Sequence, residues 1–219
     1  MPRVLFEKTA NAIWISHLDS MRLFQRMFKR AGLPLKHTQG FNPRPSVSIA
    51  LPLSVGVESR CELLDFELDA EAIPCEEICR RLNAVSVAGL RVLQVYDNGR
   101  KIRDLALLDC KVMLEFDTGV PPQAEQRLAA LFGQDSLVLD KKGKNGVVQQ
   151  DIISMIRSLR VSCVDENTVC IYARICCQNP ALNPTQLVAA IQKYLPDLAP
   201  DHARCSRDEI YDNNETVFR

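Results

Sequence analysis

Four basic side chains, Arg22, Arg26, Lys29 and Arg30, recur at three- and four-residue steps. On a helix that spacing lines them up along one face. A row of guanidinium groups can hold phosphate or carboxylate oxygens through paired hydrogen bonds. Shortly after it, Thr38-Gln39-Gly40-Phe41-Asn42-Pro43-Arg44-Pro45 places an aromatic ring, two amides and an arginine on a backbone stiffened by two prolines. Phe41 can stack on a base or plug a pocket. Gln39 and Asn42 both donate and accept, which suits reading a base edge. Arg44 adds a planar fork for an anion. The candidate binding set is Ser16, His17, Asp19, Arg22, Arg26, Arg30, Gln39, Gly40, Phe41, Asn42, Pro43, Arg44 and Ser46. The competing reading is structural. Cations near a helix C-terminus complement its dipole, and Phe41 could pack inward within an ordinary turn.

A catalytic proposal is open to His17 and His37, because two histidines can cleave RNA by general acid–base chemistry. Of the two, His17 is the catalytic candidate, and binding is favoured over catalysis. Cys75 and Cys79 lie one helical turn apart, but no further ligand follows at zinc-like spacing. The three-cysteine pattern of a radical S-adenosylmethionine (SAM) cluster would need a cysteine at position 82, which is Leu82. P-loop, dinucleotide-binding, nucleophile-elbow and metalloprotease motifs are absent. No metal site or cofactor is therefore expected, and Glu58 and Glu62 are expected to pair with the basic stripe.

The elements that must carry these residues follow from periodicity. Arg3–Lys8 reads as a strand. Ser16 caps a helix running to about Ala31, with Leu18, Met21, Phe24, Phe28 and Ala31 as its core stripe. Gly32 fits the left-handed position after it, and Pro34 prevents continuation. Strands follow at 46–51, 61–68 and 90–96, with a helix opened by Pro74 between the last two. That order is β-α-β-β-α-β, the ferredoxin-like arrangement. After a turn at 97–101, a strand at 110–116, a helix at 121–132, a hairpin around 141–146 with its Asn145-Gly146 pair, strands at 161–164 and 168–176, and a helix from Pro184 to Tyr194 repeat the plan. Ile152–Leu159 has no clean period and is read as a short helix. The expected fold is α+β, with tandem ferredoxin-like halves at 1–98 and 107–200 and a polar tail at 201–219.

The chain has 219 residues, 27 Lys and Arg, and 27 Asp and Glu, so its formal charge is zero. The charge is uneven. Residues 1–50 carry eight basic against two acidic residues, a net of +6, while 51–109 net −4 and 110–219 net −2. A neutral total with a basic first quarter points to a local anionic partner. No run is apolar enough to span a membrane, and the first residues lack the features of a signal peptide. Nine cysteines, an odd number scattered through apolar runs, read as reduced thiols in the cytoplasm.

Several motifs in order resemble one known family: Ser16-His17-Leu18-Asp19, Arg22, Arg30-Ala31-Gly32-Leu33-Pro34, Gly40-Phe41-Asn42-Pro43-Arg44-Pro45 and Pro52-Leu53-Ser54-Val55-Gly56-Val57-Glu58-Ser59, with Glu62 and Asp65 in the strand that follows. The family is the radical-SAM-associated domain of unknown function, a bacterial accessory protein encoded beside or fused to B12-binding radical SAM proteins. The likeness is dense over 3–68 and diffuse beyond. It implies a radical SAM protein as partner, and RNA or ribosome-related chemistry as the setting. Its pattern has His where this chain has Arg44 and Lys where it has Ser46. A histidine-dependent reaction at that loop is not implied here, whereas anion binding is.

The leading expectation is an accessory, RNA-binding protein without membrane association, using the 16–46 segment. The alternatives are an RNA-processing or RNA-modifying enzyme using His17, and a protein-interaction module docking the radical SAM partner.

Overall fold

The first strand, β1 (Arg3–Lys8), buries Val4 and Phe6 on one face and places Arg3 on the other. The computed structural model describes every residue except Glu71, Lys144 and Asn145. The chain divides into two compact units, Met1–Asp104 with Arg219, and Leu105–Phe218. The architecture is α+β, with four α-helices among the described residues.

In the first unit β1 is followed by a 3-10 turn at Ala10–Trp14, α1 (His17–Arg30), β2 (Val47–Ile49), β3 (Glu58–Phe66), α2 (Cys75–Ala84) and β4 (Leu90–Tyr96). The strands lie in the order β4-β1-β3-β2, and each neighbouring pair is antiparallel. Arg3 faces Asp65 across the ladder and binds its carboxylate through two nitrogens, at 2.6 and 3.1 Å. Both helices supply the core on the opposite face. Phe24 meets Phe6 edge-on at 4.7 Å between ring centroids, and Phe28 meets Phe66 at 4.9 Å. Ile78 and Leu82 of α2 complete it. Truncating such a buried phenylalanine to alanine costs about 3–5 kcal/mol, so α1 is held firmly by its apolar face.

The expected stripe on α1 needs two corrections. Leu18 is exposed, because the first turn overhangs the core, and Met27 is buried beside Phe24 and Phe28. Lys8 is buried at the end of β1, where its Nζ donates to the Ile15 carbonyl at 2.5 Å. Burial lowers its pKa, and the nearby Glu62 opposes that shift.

The second unit contains β5 (Leu105–Glu115), α3 (Ala124–Phe132), the hairpin β6 (Val138–Gly143) and β7 (Gly146–Asp151), β8 (Ile156–Cys163), β9 (Thr168–Cys176), α4 (Thr185–Tyr194) and β10 (His202–Asp212). The main sheet has the order β10-β5-β9-β8, again antiparallel throughout. With the hairpin set aside, each unit's sheet runs last strand, first strand, third strand, second strand. The expected Asn145-Gly146 turn includes residues outside those described.

Two elements depart from the sequence reading. Ile152–Leu159 is not a helix. A 3-10 turn at Ile153–Met155 leads into β8, whose outward positions carry Ser158 and Arg160. The supposed polar tail contains β10, which pairs along the whole of β5. Its inward positions include Arg207 and Asp212, so buried polar residues disguised the strand.

Candidate functional site

The basic row owes its position to both ends of α1. At the start, the Asp19 backbone N–H donates to the Ser16 hydroxyl at 3.2 Å, which satisfies one open donor of the first turn. The Ser16 hydroxyl in turn donates to the Asp19 carboxylate at 2.7 Å, and Arg22 binds the same carboxylate at 2.9 Å. These contacts, the serine first, hold the Asp19 carboxyl below its usual range. At the other end Gly32 adopts φ +66°. Its N–H donates to the Lys29 carbonyl, and the Leu33 N–H reaches back to the Phe28 carbonyl at 2.9 Å. That pair of bonds closes a helix through a left-handed residue, and it turns Leu33, Pro34 and Leu35 underneath the basic row.

The segment after the helix is pinned to the residues that directly follow β3. Lys36 N–H donates to the Glu67 carbonyl at 2.9 Å, Asp69 N–H donates to the Pro34 carbonyl at 2.8 Å, and Leu35 bridges Leu68. A loop then leaves and returns through a narrow neck. Thr38 N–H donates to the Arg44 carbonyl at 2.8 Å, Arg44 N–H donates to the Thr38 hydroxyl at 3.0 Å, and His37 bridges Pro45. Gly40 has φ +135°, a conformation that disfavours any side chain, although the space around it is open. At the tip the Phe41 ring is fully exposed, at 102% relative exposure.

Helix and neck enclose a groove of about 800 Å³. Its walls include Arg22, Gln25, Arg26, Lys29 and His37, and its floor includes Leu33, Pro34, Leu35 and Pro45. Arg22 is partly offset by Asp19. Among the described residues, Arg26, Lys29, Arg30 and Arg44 have no carboxylate within ion-pair distance. Glu58 pairs instead with Arg60 at 3.7 Å, so its expected pairing with the basic stripe does not occur, and the buried Glu62 acts on the Lys8 ammonium. The result is an apolar trough edged with cations, which fits a ligand that has both a flat apolar part and a negative charge.

Arg22 and Arg26 of the sequence-derived set line this groove, while Gln39, Gly40, Phe41, Asn42, Pro43 and Arg44 form the exposed loop beyond its neck. Arg30 is displaced by roughly 100° around the helix from Lys29 and flanks the row. Ser16 and Asp19 act as cap and counter-charge. Ser46 serves the backbone, donating its N–H to the Lys36 carbonyl and accepting from Glu67 N–H. His17 lies in the first turn, and at about 100° per residue it points roughly opposite to Arg26. His37 lines the groove and His17 faces away, so the two do not form an acid–base pair around one ligand. Sequence reasoning missed Gln25 and the floor residues. Their signal was the short apolar run Leu33-Pro34-Leu35 after the helix stop, read only as a terminator. Among the described residues no cluster of three or more His, Cys, Asp or Glu could hold a metal, and no helix is long and apolar enough to cross a membrane.

No curated protein matches the sequence. Among solved structures, a chain of "Crystal Structure of a Cbf5-Nop10-Gar1 Complex" is similar in fold, with a TM-score of 0.53 at 7% identity, covering 95% of this chain and 48% of that one. This protein thus spans about half the length of that chain. A second, "Crystal Structure of an Unknown Protein from Galdieria sulphuraria", aligns over 94% of this chain and 96% of its own at 8% identity with a TM-score of 0.27. The family described as "Uncharacterized protein conserved in bacteria (DUF2344)" matches residues 2–184. With the basic helix, its glycine stop and the proline-flanked loop all inside that span, the chain belongs to this bacterial family.

Proposed function

We propose that this protein is a cytoplasmic substrate-binding module that holds single-stranded RNA along the α1 groove and presents it to a radical SAM enzyme. The observation that carries the binding reading is the run of Arg26 and Lys29, which no carboxylate among the described residues reaches within ion-pair distance, along an apolar floor, with Phe41 projecting free on the loop that leaves the groove's neck. A folded protein gains about 1.5–3 kcal/mol by burying a phenylalanine. A ring left wholly in water on a stiffened loop is therefore well placed to stack on a base. The partner is implied by the resemblance at Ser16–Asp19, 30–34 and 40–45. Trp14, Leu18 and Val55, 54–67% exposed, offer apolar side chains for such docking. The strand order shared by the two units supports a finer fold reading, tandem ferredoxin-like (βαββαβ) halves.

The alternative is an RNA-processing or RNA-modifying enzyme using His17. It is less favoured because that imidazole points away from the groove.

The test is fluorescence anisotropy with a twelve-nucleotide single-stranded RNA at low salt. Arg26→Ala should weaken binding about fivefold, on the order of 1 kcal/mol for one phosphate contact, and flatten the salt dependence. Undiminished binding by both Arg26→Ala and Phe41→Ala would remove the reading. RNA turnover by the purified protein, abolished in His17→Ala, would replace it with the enzymatic one.

A further inference from the structure

We infer that the ligand is a single-stranded oligonucleotide of at least two units that crosses Arg22 and Arg26 with one base on each side; this rests on the binding reading above. The two arginines line two grooves. The first is the trough over Leu33, Leu35 and Pro45. The second, about 500 Å³, lies on the other flank of α1, where Ala12, Ile15, Leu23, Val87 and Ala88 form an apolar surface. Each groove also carries one amide side chain, Gln25 in the first and Asn11 in the second. An amide can donate to and accept from the edge of a base.

Two apolar troughs separated by guanidinium groups match the alternation along a nucleic-acid strand. Flat bases lie on stacking or apolar surfaces, and the phosphate between them meets cations. Asp19 shares the second groove and engages Arg22, which leaves Arg26 as the side chain best placed on the bridging phosphate. A mononucleotide fills one trough only. A polyanion without bases would meet the arginine ridge and leave both apolar floors wet.

The test uses the full chain and a length series of oligouridylates, from UMP to the hexamer, with oligodeoxythymidylate and heparin in parallel. Dissociation constants are read by NMR titration for UMP and by anisotropy for the longer strands. Affinity should rise at least tenfold between UMP and the trimer and level off beyond it. Ala88→Leu, which fills the second groove without changing charge, should weaken the trimer at least fivefold and leave UMP within twofold. Equal binding of RNA and DNA strands would assign recognition to base and phosphate, and a preference for RNA would add the 2′-hydroxyl; both sustain the proposal. UMP binding with no gain on lengthening, or heparin competing as well as the trimer in wild type and Ala88→Leu alike, would overturn it and leave the binding reading standing. Failure of UMP and every strand to bind would sink both.

Discussion

The two units share a strand order but differ at α1, whose cations are placed unlike the ion-paired ones of the second unit. In the second unit, Arg127, Lys111, Arg204 and Arg174 are matched to acids, while Arg160 lies over the Tyr172 ring. Arg127 holds Asp197 through two nitrogens at 2.6 and 3.0 Å, Lys111 meets Asp208 at 2.7 Å, and Arg204 pairs with Glu115. Arg174 is gripped most fully. It binds Asp109 at 2.7 and 2.9 Å, pairs with Glu215, and lies 4.0 Å from the Tyr211 ring centroid. Burial first, and Asp109 after it, push the Tyr211 hydroxyl up to about 12, so it stays protonated and donates to that carboxylate. In the first unit, by contrast, Arg26, Lys29 and Arg30 stand along α1 with no carboxylate among the described residues within ion-pair distance, and Asp19 feels Arg26 only from further off. A formal charge of zero conceals this, because the sum cannot distinguish a cation consumed by the fold from one left for a ligand.

The contrast breaks most sharply under paired substitutions. Arg22→Ala with Arg26→Ala should reduce RNA affinity by roughly 2 kcal/mol, about thirtyfold, and lower the salt slope by more than one unit, since each lost phosphate contact contributes about 0.7 for a single strand. Its urea denaturation midpoint should match the wild type. Arg174→Ala should do the reverse. It leaves Asp109 half-buried without its cation and should cost about 1–2 kcal/mol of unfolding free energy, with RNA affinity unchanged. A midpoint loss in the first variant, or a binding loss in the second, would mean that the division of labour is misassigned.

Phe41→Ala comes next in size. Stacking on an aromatic contributes about 1–3 kcal/mol per base, and the exposed ring supports nothing else in the fold. RNA affinity should fall about fivefold or more, with no change in thermal midpoint. Substituting the buried Phe24 of the same unit should instead unfold it.

The readable parts of the sequence were those where local rules sufficed. Ser16, Gly32 and Pro34 bound α1 because capping and left-handed closure depend on near neighbours alone. The stripe could not show that the first turn overhangs the core, which is why Leu18 was misplaced and Met27 overlooked. The groove floor depends on Leu35 meeting Leu68, a contact between distant residues that no period encodes. β8 and β10 failed for another reason. One alternates apolar residues with polar ones on a wet face, and the other buries Arg207 and Asp212 where a hydrophobe would be expected. As for the loop, composition identified Phe41 as special but could not say which way it pointed.

The smallest effect tests whether charge alone would do. Within the first unit, α2 also carries adjacent arginines, Arg80 and Arg81, yet both are held by Glu77 at 2.6–2.7 Å. Hydrogen bonds from Arg80 first, and Arg81 second, lower the Glu77 carboxyl to about 2. A carboxylate whose pKa falls on folding stabilises the folded state above its unfolded value, near 4.3 for glutamate, and loses that contribution as pH drops through the folded value. Glu77→Gln should therefore lower the thermal midpoint slightly at pH 7. The gap to the wild type should close as the pH falls from about 4 towards 2. The same variant releases two arginines on a helix that borders neither of the two grooves flanking α1. RNA affinity should stay constant at physiological salt, because cations without an apolar trough beneath them offer a base nowhere to lie. A clear gain in affinity on freeing Arg80 and Arg81 would instead show that the first unit attracts its ligand by net charge, and that the shape of the α1 groove is incidental.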